Sequence, residues 1–245
     1  MTILIIPVAP LSRTKSRLRK YFSTEQLVEL TIAMFKDLGK TLSNVSCFNQ
    51  KIVYCNAPEI LELAENYNLI GIKEELTSPP KSFDEVISDL NKIAINKFDG
   101  KKTIISFLDL ILISASNFYD VYNLMKENQL VICPAIHSAG ISILGRNPPN
   151  LIPTYFSDPI SPSLFALLKN ASQMNIKNIA IYDSFRASFD IDVIQDLILS
   201  FEYLKLFNLT HTEVFKFLRH NLKYSIKKKI ASNNRTFKIV KRAQN

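Results

Sequence analysis

Short, continuous apolar runs, separated by amphipathic stretches, constrain the fold of this chain more than any other feature. Ile3–Ile6 opens the series with no polar residue to mark a solvent face, as expected of a strand covered on both sides. KIVYC (51–55), LIGI (69–72), TIISFLDL (103–110), LVIC (130–133), ISIL (141–144) and NIAIY (178–182) repeat the pattern. Helix signals lie between them. Ser23-x-x-Gln26 reads as a capping box, and Leu27, Leu30, Met34, Phe35 and Leu38 follow at helical spacing. Pro58 suits the first position of a helix running through Tyr67. Ser82 reads as the cap of a helix with Val86, Ile87, Leu90, Ile93 and Ala94 inward, and Ser116 as the cap of the next. Further helices are expected near 163–174 and from about Val193 to Phe207. This alternation predicts an α/β fold, doubly wound around a mostly parallel sheet.

No internal repeat or low-complexity linker divides the chain, so residues 1–207 are expected to form one α/β domain and 208–245 a basic C-terminal extension. Thr210-His211-Thr212-Glu213 reads as another capping box, opening a helix with Val214, Phe217 and Leu218 inward. Beyond it, KKKIASNNRTFKIVKRAQN (227–245) shows much charge and little periodicity, and is expected to be mobile or docked on a partner.

The charge is unevenly placed. The chain of 245 residues has a formal net charge of +8. Residues 201–245 hold 11 basic and 2 acidic side chains, leaving 19 and 20 for residues 1–200. An electrostatic case for nucleic-acid binding therefore rests on the tail alone. That tail offers only Tyr224 and Phe237 for stacking on bases, so nucleic acid is not the expected partner. No apolar run reaches the roughly 18–20 residues that cross a bilayer. The short apolar start has no charged region before it, so no secretory signal is expected. Cys47, Cys55 and Cys133 lack CxxC spacing and read as reduced core residues of a cytoplasmic protein.

Open α/β sheets gather ligands outside the carboxyl ends of their strands. Three features fall there: Arg13, Lys15 and Arg17 after the first strand, Asp109 closing another, and Asp190-x-Asp192 before a helix. Lysine and arginine neutralise phosphate oxygens, while carboxylates hold Mg²⁺, so the set points to a phosphate or nucleotide ligand. Each also has a bland reading, the cations as a solvated loop and the aspartates as helix caps. His137 reads as a surface residue, His211 and His220 as parts of helix ends. With 5 glycines and no G-x-G-x-x-G, G-K-[ST] or G-x-S-x-G, dinucleotide, P-loop and serine-hydrolase sites are excluded.

The stretch IIPVAPLSRTKSRLRKYFSTEQLVELTIAMFKD resembles the 2-phospho-L-lactate guanylyltransferases of coenzyme F420 biosynthesis. Pro7, Pro10, Leu11, Lys15, Ser16, Arg17, Leu18, Ala33, Met34 and Asp37 fit that family's opening pattern. Leu108-Asp109-Leu110 looks like its A-D-L segment, and Asp190-Ile191-Asp192 like its closing D-[IV]-D. The resemblance implies a nucleotide-diphospho-sugar-transferase-like (Rossmann-like) fold and transfer of GMP from GTP to a phosphorylated acid. The acceptor types are 2-phospholactate, phosphoenolpyruvate and 3-phosphoglycerate. It implies Lys15 and Arg17 as catalytic and triphosphate-holding residues with Arg13 in support, Asp109, Asp190 and Asp192 as Mg²⁺ ligands, and a homodimer. Pro10 and Gly140 would join the nucleotide site. Ser82-Phe83-Asp84 stands where the family has its base-binding G-L-N, and Ser161-Pro162-Ser163 at its acceptor segment. Cys133–Ser142 keeps only Pro134 and Gly140 of a further family run, and Ile111 replaces a proline. An active enzyme is the leading expectation. A catalytically degenerate homologue that binds nucleotide or regulates is the alternative.

Overall fold

Every residue of β1 (Thr2–Pro7) is buried, and alternate side chains feed opposite layers. Leu4 and Ile6 join one apolar cluster, while Ile3 and Ile5 join another across the sheet. This two-sided burial is why the strand reads as a continuous apolar run. The computed structural model describes residues 1–230 and 233–241.

β1 pairs in parallel with β2 (Gln50–Cys55) and β4 (Lys102–Ser106), and β2 with β3 (Ile70–Lys73). β5 (Leu130–Pro134) and β6 (Ile141–Arg146) form an antiparallel pair, and β7 (Ile179–Ile181) lies parallel to β5. The strand order is β3-β2-β1-β4-β6-β5-β7. β6 also runs antiparallel to β4. The link from β5 to β6 is too short for a crossover, which needs a dozen or more residues. Reversing β6 brings its entrance, including Gly140, to the carboxyl ends of its neighbours. The chain leaves β1 towards β2 and later returns to its other side at β4. This switch opens the ligand crevice of an open α/β sheet.

Helices cover both faces. α1 (Thr24–Ser43) begins with the expected box, Gln26 N–H donating to Ser23 Oγ and Ser23 N–H to Gln26 Oε1. α2 (Pro58–Asn66) starts on its proline, and α3 (Phe83–Phe98) on a box between Ser82 and Glu85. α4 (Ala115–Glu127) is capped from Ser114 rather than Ser116, the Ser114 N–H donating to Asn117 Oδ1 at 2.9 Å. α5 (Ser163–Gln173), α6 (Phe185–Ser188) and α7 (Ile194–Leu206) complete the body.

The extension departs from the sequence reading. α8 (Glu213–Asn221) forms, but its cap is Thr212 Oγ1, which accepts from Phe215 N, and the box from Thr210 does not form. Asp37 of α1 supplies the rest. Its carboxylate accepts from Glu213 N and Val214 N, each at 2.9 Å. Burial pushes the Asp37 carboxyl upward, against the pull of those two bonds. The basic run that follows is a β-hairpin, β8 (Tyr224–Ile230) with β9 (Asn233–Lys241), and residues 242–245 lie outside the described ones.

The hairpin leans on the body by its root. Tyr224, Ile226 and Ile239 pack against a cluster built from α1, α7 and α8, and Tyr224 meets Tyr21 edge-on at 5.1 Å. Two-stranded ribbons have little stability of their own, so this root contact holds the hairpin. Deleting residues 224–245 will expose the α7–α8 face and lower stability by about 2 kcal/mol in urea unfolding. A solvated tail would leave the midpoint unchanged.

Candidate active site

The loop after β1 contains no glycine, yet it turns sharply. Pro10 precedes a 3-10 turn at Leu11–Arg13, and a second turn spans Ser16–Leu18. Between them Lys15 is left-handed, at φ 46° and ψ 42°. A non-glycine residue held there stores about 1–3 kcal/mol, which surrounding contacts must offset. Leu18 is fully buried, Thr14 and Thr31 share a buried 2.9 Å hydroxyl bond, and Arg19 donates to the Ser12 carbonyl at 2.7 Å. The strained turn aims Lys15 inward.

Lys15 Nζ lies 2.7 Å from Asp109 Oδ2 and also donates to the Ile191 carbonyl. The pair is largely buried, at 12% and 22% exposure. Arg17 Nη1 lies 2.7 Å from Asp192 Oδ2, but at 66% and 42% exposure. These contacts span about 94 and 175 positions of sequence and join the β1 loop, the end of β4 and the entrance to α7. Neither Asp190 nor Asp192 caps α7. Asp196, 2% exposed, does so by accepting from Asp192 N and Val193 N. The D-x-D carboxylates are thereby left facing the cavity.

Asp190 feels this most. Its carboxyl is pushed up to about 7, first by burial, then by the Asp109 and Asp192 charges, with Lys15 opposing. The site is thus short of positive charge. Asp109, Asp190 and Asp192 line one cavity of about 590 Å³ with Arg13, Lys15 and Arg17. Among the described residues no group of three or more His, Cys, Asp or Glu is close enough to hold a metal together. The expected three-carboxylate ligand set is therefore not assembled, because Lys15 and Arg17 engage two of its members. The donors still fit a hard cation held by one or two carboxylates, which would relieve the repulsion at Asp190.

Other residues from the sequence reading divide. Gly140 and Ser163 line the large cavity. Ser161 lies outside its wall, its N–H donating to Asp158 Oδ1 in a turn. Ser82 is engaged in the cap of α3, and Pro10 lines a neighbouring cavity. Asp84 is withdrawn from any ligand. Its carboxylate accepts from Thr154 Oγ1, from Phe156 N at 2.9 Å and from Ser157 N at 2.8 Å. Arg146 braces the same loop from beneath, donating to the Ile152 carbonyl at 2.8 Å and to Asn91 at 3.1 Å. Burial lowers that guanidinium to about 10.

Sequence reasoning missed what this bracing achieves. Phe156 is held against Phe83 and Phe107, with ring centroids 5.3 to 5.8 Å apart, and the three rings form an aromatic part of the wall of the cavity that the charged groups line. Phe107 sits two positions before Asp109, a signal visible in the sequence, whereas Phe156 comes from a loop with no periodic pattern.

Known proteins share this fold and much of this sequence. The model of the family described as "Guanylyl transferase CofC like" matches residues 1–242. The 2-phospho-L-lactate guanylyltransferase of Methanocaldococcus jannaschii is 30% identical over 196 residues, 79% of each chain. A Desulfovibrio desulfuricans G20 structure assigned to the nucleotide-diphospho-sugar transferases superposes with TM-score 0.72 at 12% identity, covering 90% of this chain and 94% of that one. The 4-diphosphocytidyl-2C-methyl-D-erythritol synthase of Anaerococcus prevotii gives TM-score 0.59 at 13% identity, over 84% and 96%. The nucleotide-diphospho-sugar-transferase-like fold is thus shared across very different sequences. With its strand-end cations and carboxylates on that fold and a family match spanning nearly its whole length, the chain belongs to the CofC-like guanylyl transferase family.

Proposed function

We propose that this chain is a cytoplasmic nucleotidyltransferase of coenzyme F420 biosynthesis. It moves GMP from GTP to 2-phospho-L-lactate or a related phosphorylated acid, phosphoenolpyruvate or 3-phosphoglycerate. The observation that carries this reading is the meeting of Lys15 and Arg17 with Asp109, Asp190 and Asp192 at the β1–β4 switch. An oxygen of the acceptor phosphate forms a bond to the α-phosphorus of GTP. The bond from that phosphorus to the bridging oxygen breaks, and pyrophosphate leaves with the electron pair. No proton transfer or covalent enzyme intermediate is required, so catalysis consists of aligning two anions and neutralising charge.

Lys15 and Arg17 exchange their carboxylates for the triphosphate and hold charge that builds on the leaving pyrophosphate. Arg13, at the rim, supports them. Asp190 with Asp109 or Asp192 would hold Mg²⁺, which supplies charge neutralisation on phosphate oxygens. The aromatic wall limits water in the cavity, where Ser163 would meet the acceptor and Gly140 the nucleotide.

The test is a pyrophosphate-release assay with each nucleoside triphosphate, Mg²⁺ and each of the three acceptors. Release with GTP and one acceptor is expected. Release no greater than that of an Asp190→Asn, Asp192→Asn double variant would leave the chain a nucleotide-binding or regulatory homologue.

A further inference from the structure

A second cavity, of about 260 Å³, adjoins the phosphate site. It is walled by the carboxyl ends of β1, β2 and β3, and Arg13 and Phe83 line both cavities. A ligand anchored by phosphates at Lys15 and Arg17 therefore has one continuous route into it. Two groups in this second cavity are unused by the fold. Tyr54 is 5% exposed, and its hydroxyl makes no hydrogen bond to any described residue. Glu74 is half-buried, and its carboxylate has neither an ion pair nor a hydrogen bond among the described residues. Its backbone is nevertheless held in place, Glu74 N donating to the Cys55 carbonyl at 2.8 Å.

The nearest lysine does not answer it. Lys81 is committed to Asp89 at 2.7 Å. Burial raises the Glu74 carboxyl, against Lys81 and Arg13, and raises the Tyr54 phenol, with Glu74 adding to it. A phenol near a carboxylate, neither with a hydrogen-bond partner among the described residues, presents one donor and two acceptors to the cavity. Groups that line a cavity and are not committed to the fold are free to meet a ligand edge of complementary donors and acceptors.

We infer that this cavity takes the nucleotide base and that Glu74 and Tyr54 read it as guanine. The inference rests on the nucleotidyl-transfer reading above for the identity of the ligand as a nucleoside triphosphate. Guanine offers two adjacent donors, N1–H and the exocyclic amine, to a carboxylate, and O6 beside them to a hydroxyl. Adenine and cytosine turn a ring acceptor towards the carboxylate, and uracil offers a single donor flanked by carbonyls. Phe83 supplies an apolar face at the junction. In this chain Ser82 and Asp84 are occupied within the fold, and base reading passes to β2 and β3.

The test is calorimetric binding of GTP and ITP, which lacks the exocyclic amine, to the full chain with Mg²⁺, alongside pyrophosphate release. Wild type should bind GTP about 10–100-fold more tightly than ITP, the worth of a hydrogen bond to a charged group. Glu74→Gln should bring that ratio to near 1 with a melting temperature no lower than wild type's, since the carboxylate supports nothing in the fold and is raised by burial. Tyr54→Phe should raise the GTP KM while kcat holds. A Glu74→Gln variant with the wild-type GTP/ITP ratio, or a wild type that prefers another triphosphate, overturns the inference. Glu74-dependent GTP binding without turnover would uphold the subsite and overturn the transferase reading. Turnover with no base preference would do the reverse.

Discussion

Replacing Lys15 with alanine will cut pyrophosphate release by about 10²–10³-fold, the usual loss when one preorganised electrostatic contact to developing charge is removed. Of the three cations lining the site, Lys15 is placed deepest, at 12% exposure between Asp109 and the Ile191 carbonyl. Its loss also leaves Asp109, Asp190 and Asp192 without their one sheltered counter-charge, so the Asp190 carboxyl, already at about 7, will climb further. The activity-pH profile of any residual turnover will shift to higher pH. Arg17→Ala is the control. Its pair with Asp192 is solvent-screened, so stability will hold while turnover falls and the triphosphate KM rises. A Lys15→Ala enzyme with wild-type turnover would remove the charge-neutralisation mechanism.

Asp190→Asn will inactivate the enzyme and, above neutral pH, make the protein more stable. The native carboxyl sits at about 7 against 3.8 for the ordinary group, raised by burial and by two neighbouring carboxylates. Between those values the native state binds more protons than the unfolded chain, so stability falls as pH rises through the window. Wild type therefore keeps the full contribution below about pH 4 and has lost it by about pH 8. Asparagine does not ionise, so the variant lacks this loss. Its advantage, read from urea unfolding in buffer free of divalent ions, will grow from near zero at pH 4 to about 2–4 kcal/mol at pH 8. Mg²⁺ at pH 8 will narrow the gap by stabilising wild type alone. A difference that does not change with pH would assign Asp190 a packing role. The penalty is the stability given up by burying Asp190 beside two other carboxylates.

Much of the site was legible before any coordinates. Lys15, Arg17 and Asp109 follow strand ends that the apolar runs identified, and Asp190 and Asp192 precede a helix the periodicity marked. The base side was not legible. Ser82 and Asp84 stand where the resembled family has its base-binding G-L-N, yet a capping box consumes one and the 154–157 loop the other. Tyr54 and Glu74 carry no local pattern that separates them from other strand-end residues.

The sequence by itself determined the parallel sheet, the helices and most of their caps, because these depend on periodicity and on residues three or four apart. Only the tertiary structure decided which carboxylates stay free. Asp196 caps α7 and leaves Asp190 and Asp192 open, Asp37 is spent on α8 some 176 positions away, and Lys15 is driven into a left-handed turn by contacts around it. The same holds for the hairpin, where Ile226 faces Ile239 only once the chain has turned. Hydrogen-bond competition and cross-strand pairing act between residues distant in sequence, and no window along the chain contains both partners.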